Sequence, residues 1–94
     1  MTKTYAFEAE IKAVPDRGGA YIEIPLDIRQ AFGKGRLKVH AAFDGEPYDG
    51  RIVNMGLKHA DGSICYILGV RKDSRQKIGK GAGDRVVVTF SARD

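Results

Sequence analysis

Residues 27–35 read DIRQAFGKG, and residues 73–81 read DSRQKIGKG. Six of the nine positions are identical: Asp27/Asp73, Arg29/Arg75, Gln30/Gln76, Gly33/Gly79, Lys34/Lys80 and Gly35/Gly81. Each copy follows an apolar, β-type run (Ala20–Pro25 and Ile64–Val70) and precedes another (Leu37–Phe43 and Arg85–Phe90). The offset from 27 to 73 is 46, close to half of the 94 residues. A period of that size implies two copies of one supersecondary unit, spanning about 20–43 and 64–90, related by a pseudo-two-fold within one chain.

The remaining chain supports a mainly β reading. Lys3–Ala13 alternates Tyr5, Phe7, Ala9 and Ile11 against polar residues, the pattern of a half-buried strand. Pro15-Asp16-Arg17-Gly18-Gly19 reads as a turn, and Ala20–Ile24 as a second strand. Pro25 has no N–H to add to a ladder; it suits the opening of a short helix over Leu26–Phe32 that Gly33 caps. Leu37–Phe43 is a strand, Asp44–Pro47 a turn, and Tyr48–Leu57 a strand broken at Asp49-Gly50. Lys58–Gly62 reads as a hairpin connection, followed by a strand to Val70, a second helix over Lys72–Ile78 and a last strand over Arg85–Ala92. A sheet this small needs its second face covered, so a closed barrel in one domain, 1–94, is the economical architecture.

Bulk composition bounds the function. Hydrophobic residues make up 43% and charged residues 30%, ordinary for a globular domain. No run approaches the roughly 18 apolar residues of a membrane span. The opening MTKTYAFEAE carries no apolar signal core, and the single Cys65 cannot form an internal disulfide; a cytoplasmic location is expected. Net charge is +4. The segment 71–85 sets Arg71, Lys72, Arg75, Lys77, Lys80 and Arg85 against Asp73 and Asp84. Such a patch either attracts phosphates or is a solvated helix face.

Strand, Pro, short helix, Gly-x-Gly, strand is a recognisable order. IPLDIRQAFGKGRLKV and GVRKDSRQKIGKGAGDRVVVTF resemble the swapped-hairpin unit of AbrB-type transcription regulators and MazE-type antitoxins. In those families two chains each give one unit to a double-split β-barrel. Here both units lie in one chain, which implies a barrel that closes as a monomer. The whole chain, including YAFEAEI and AAFDGEPYDG, is similar to an uncharacterised bacterial domain-of-unknown-function family with that barrel, sometimes fused to a bacteriocin-protection, OmpD-associated type of segment. The resemblance implies no catalytic residue. Its wider circle implies nucleic-acid binding through Arg71, Lys72, Arg75, Lys77 and Lys80, with Arg29 and Lys34 from the other copy. The first copy has Leu26 where a basic helix opening is expected, so one basic edge is strong and the other weak.

Other candidates have ordinary explanations. Arg29 and Arg75, each two residues after an Asp, are either a symmetric phosphate-binding pair or local helix-start chemistry. Gly79–Gly83 leads from a helix into a strand, the reverse of a phosphate loop. His40, His59 and Cys65 lack metal-ligand spacing, and Asp44, Glu46 and Asp49 lack the series of a calcium loop. No cofactor or metal is therefore expected. Cys65 reads as a small core residue, and Tyr48, Tyr66 and His40 as the side chains able to line a pocket at a barrel mouth. The leading expectation is a non-catalytic binding or interaction module whose partner the sequence does not identify, a protein being one candidate. The alternatives are a nucleic-acid-binding protein, and a small-ligand binder or enzyme using that pocket.

Overall fold

The alternation at the start of the chain builds the first strand, β1 (Thr4–Glu10), with Tyr5, Phe7 and Ala9 turned inward and half-buried. A computed structural model describes residues 4–14 and 19–93. The expected strand start at Lys3 and turn at Pro15–Gly18 therefore lie outside the described residues. Instead of one strand to Ala13, the chain bends at the fully buried Ile11, whose N–H donates to Asp84 O and whose carbonyl accepts from Gly83 N–H, both at 2.8 Å. A two-residue strand, β2 (Lys12–Ala13), follows the bend.

β3 (Ala20–Ile24), β4 (Leu37–Phe43), β5 (Glu46–Lys58), β6 (Ile64–Gly69) and β7 (Arg85–Ala92) complete a curled sheet in the order β1-β7-β4-β5-β6-β3-β2. Every neighbouring pair is antiparallel. The two strands at the ends of that order, β1 and β2, are consecutive in the chain, with only Ile11 between them. Two of the pairings join strands that hold equivalent places in the two sequence copies. β4 and β7 pair about Ala41↔Phe90, with Val39↔Ala92 and Phe43↔Val88 on either side. β3 and β6 pair about Ile22↔Leu68. Just past the ends of the first pair, Asp44 N–H donates to Val87 O at 2.8 Å and Arg93 N–H to Lys38 O at 2.9 Å.

Inward positions of the strands fill the concave side with Ile22, Ile24, Val39, Phe43, Ile52, Leu68, Val86, Val88 and Phe90. Each such side chain contributes about 1.5–3 kcal/mol through burial. Tyr5 stacks on Phe90 with ring centroids 5.1 Å apart, and Phe32 meets the edge of Tyr5 at 5.7 Å.

Two short helices bridge the strands. α1 (Ile28–Phe32) starts two residues later than the sequence reading places it, because the carboxylate of Asp27, not Pro25, sets its start by accepting from Gln30 N–H at 3.1 Å. α2 (Lys72–Ile78) is capped by Arg71 without a side-chain bond; Asp73 lies inside its first turn and accepts from Ser74 N–H at 3.0 Å. The matched aspartates thus act differently, whereas the matched Gly33 and Gly79 close both helices with left-handed φ of 72° and 68°.

β5 departs most from the sequence reading. The turn before it is only Asp44-Gly45, with φ of 51° and 88°, the two positive φ values of a tight hairpin turn. The strand then runs unbroken through Asp49-Gly50. Gly50 is required there by packing: a Cβ would stand 2.5 Å from Cε2 of Tyr48.

Candidate functional site

Most of the cations singled out in segment 71–85, on and around α2, are occupied. Lys80 Nζ lies 2.5 Å from Asp44 Oδ2 and also donates to Arg85 O at 2.7 Å. Lys77 Nζ is 3.4 Å from Glu46 Oε1. The hydrogen bond from Lys80, then the one from Val87 N–H at 2.8 Å, holds the Asp44 carboxyl below its ordinary pKa. Arg71 covers the Tyr48 ring, 5.3 Å from its centroid, and Arg85 donates to Glu8 at 2.7 Å. Arg75 is half-buried, with an Nε that finds no hydrogen-bond partner among the described residues. Lys72 is exposed. Asp44 of the β4–β5 turn and Glu46 at the start of β5, both read from sequence as turn residues, are the counter-charges of Lys80 and Lys77.

A different basic surface is built by register. Lys38 on β4 stands directly across from Arg51 on β5. Arg93, just beyond β7, bonds on the other side of Lys38 through its backbone N–H, and its guanidinium donates Nε–H to Val39 O at 3.2 Å and an Nη2 proton to Gly50 O at 3.4 Å. Lys34 and Arg36, in the connection between α1 and β4, complete the rim of a surface depression of about 380 Å³ that Leu37 also lines. Among the described residues, none of these five cations takes part in an ion pair. Asp49 bonds His40 Nδ1 at 2.7 Å; that bond, with a smaller influence from Arg93, lowers its pKa. Arg29 lies on the exposed face of α1, with Nη2 3.5 Å from where a Cβ on Gly35 would stand.

Of the sequence-predicted residues, only Lys34 belongs to this surface; Arg36, Lys38, Arg51 and Arg93 were not singled out. Their signal was available only as basic residues at every second position, Lys34, Arg36 and Lys38, leading into an alternating strand.

Tyr48, Tyr66 and His40 are not brought to one mouth. Tyr66 is 2% exposed in the core. His40 points to solvent and is tied to Asp49, while Tyr48 is half-buried beneath Arg71 and 5.3 Å from Phe43. Cys65 is buried as expected, but outside the main core cluster, and desolvation raises its thiol pKa. Among the described residues no three His, Cys, Asp or Glu side chains are placed to hold a metal ion, and no helix is long and apolar enough to cross a membrane.

Residues 7–90 match the domain of unknown function DUF1905, and the chain belongs to that family. No curated protein matches it.

Proposed function

We propose that the chain is a non-catalytic binding module that receives an anionic partner on the surface formed by Lys34, Arg36, Lys38, Arg51 and Arg93. One observation carries the reading: Lys38 and Arg51 face each other across β4 and β5, with Arg93 anchored beside them and no ion pair among the described residues. Like charges in direct cross-strand register destabilise a sheet, so the arrangement gains its use from a ligand that neutralises it. The α2 face is the weaker docking surface, because Asp44 and Glu46 already compensate two of its cations.

The scaffold in this reading is a closed double-split barrel made of two duplicated halves, akin to the AbrB and MazE barrels and working as a monomer in a bacterial cytoplasm. Closure is supported by the continuity of β1 and β2 at Ile11, duplication by the pairing of equivalent strands, β3 with β6 and β4 with β7, and the matched glycine caps. A nucleic acid is one anionic partner of this class.

Retention on a heparin column separates the two faces. Lys38→Glu/Arg51→Glu and Lys72→Glu/Lys77→Glu change net charge equally, so any difference in elution reports location. The first pair is expected to elute at clearly lower salt than the second. Earlier elution of the α2 pair would refute the placement.

A further inference from the structure

Resting on that reading, we infer that the surface between the α1–β4 connection and β5 is a site for a short oligophosphate group, a chain of about three phosphates. Its size and chemistry narrow the class of anion. At about 380 Å³ the depression is of small-ligand dimensions, and among the described residues its lining is five cations and Leu37. No aromatic ring among the described residues lines it, so a nucleobase has no face on which to stack there. Among the described residues no carboxylate or carboxamide side chain lines it either, so the described lining offers side-chain donors only.

The donors suit phosphate oxygens. Arg36, Arg51 and Arg93 each present a planar fork that binds phosphate in a bidentate manner, and Lys34 and Lys38 add point charges. Arg93 is held before any ligand arrives: Val39 O and Gly50 O accept two of its five N–H groups and leave three. Arg51, Lys38 and Arg93 follow one another across β5, β4 and the end of β7. At about 4.8 Å between strands that row spans roughly 10 Å, a reach that suits a phosphate chain better than a single phosphate. The cavity lined by Glu8, Glu10, Lys12, Glu23, His59 and Arg85 offers no such field, because Glu8 pairs with Arg85 and Lys12 with Glu23.

Isothermal titration in a chelator-containing buffer tests this with four probes: tripolyphosphate, orthophosphate, ATP and a mixed-sequence DNA duplex. Wild type is expected to bind one tripolyphosphate, with orthophosphate at least about tenfold weaker and ATP within about tenfold of tripolyphosphate. Arg51→Gln and Arg93→Gln are each expected to weaken tripolyphosphate about tenfold or more, and Lys77→Gln to leave it unchanged. Thermal melts of the variants verify that they remain folded. Duplex binding that is lost in Arg51→Gln, with no saturable tripolyphosphate binding, would overturn the oligophosphate assignment and keep the anion-binding reading. ATP binding far tighter than tripolyphosphate would overturn it in favour of base recognition. Binding of every probe untouched by Arg51→Gln and Arg93→Gln, or no binding at all, would overturn both.

Discussion

The two ends of the β4–β7 pair share a backbone arrangement and carry opposite charge patterns. At one end Asp44 N–H bonds Val87 O, Val87 faces Glu8 on β1, and Lys80 and Arg85 stand close by. At the other end Arg93 N–H bonds Lys38 O, Lys38 faces Arg51 on β5, and Lys34 and Arg36 stand close by. The first end contains two acids and two bases, joined as Asp44–Lys80 and Glu8–Arg85. The second contains five bases and no ion pair among the described residues. The same strand geometry therefore tolerates a neutral set, and the cationic set is not imposed by the fold. One end joins its charges to one another; the other holds its cations without a counter-charge in an ion pair among the described residues.

The largest way to break the comparison is to remove the scaffold common to both ends. Phe90 lies at the centre of the β4–β7 register, 1% exposed and stacked on Tyr5. Phe90→Ala is expected to cost about 3–5 kcal/mol in urea unfolding and to abolish anion binding with it. A loss below about 1 kcal/mol would mean that the core does not depend on this contact.

The next effect separates the ends. Asp44→Ala removes the acceptor for Val87 N–H and the partner of Lys80, and places Ala at a φ of 51°. It is expected to cost about 1–2 kcal/mol. Arg93→Ala at the opposite end loses two bonds to carbonyls but relieves repulsion with its neighbours, so its change in unfolding free energy is expected within about 0.5 kcal/mol. Equal losses in the two variants would erase the distinction.

The two ends also differ in how they respond to acid. The folded-state pKa of Asp44 lies below its ordinary value of 3.8, so ionisation favours the folded state. Its contribution is present in full above pH 3.8 and is lost as pH falls through the lowered folded value. Asp44→Asn keeps a side chain suited to positive φ and is expected to flatten that part of the stability-versus-pH curve. An unchanged acid limb would show that Lys80 does not hold the carboxylate in solution.

The smallest effect is at Lys38. Lys38→Glu converts a like-charge cross-strand pair with Arg51 into an opposite-charge pair and is expected to raise stability by about 0.2–1 kcal/mol, more at low salt than at high. A salt-independent loss would contradict the view that the cationic end is electrostatically strained.

Much of the scaffold is legible in the sequence because it rests on local chemistry. Alternation identifies the strands, and the repeated Gly33 and Gly79 identify two helix ends that need left-handed backbone. The continuity of β5 is not legible, because Asp49-Gly50 has the composition of a breaker. Asp49 instead reaches across to His40, and Gly50 makes room for Tyr48. The charge clusters reverse the impression left by the sequence. The basic run at 71–85 is conspicuous in order, yet its counter-charges Asp44 and Glu46 lie far upstream, in the β4–β5 turn and at the start of β5. Arg51 and Arg93 are inconspicuous because each stands apart in sequence from Lys34, Arg36 and Lys38. Only antiparallel register brings them side by side, and register is set by which strands become neighbours.

The most direct test of the central claim is an amide chemical-shift titration of the folded protein with tripolyphosphate. Saturable shifts clustered at Lys34–Lys38, Arg51 and Arg93, with Lys72–Gly81 little changed, are the predicted result. Shifts centred on Lys72–Gly81, or none at either face, would contradict it.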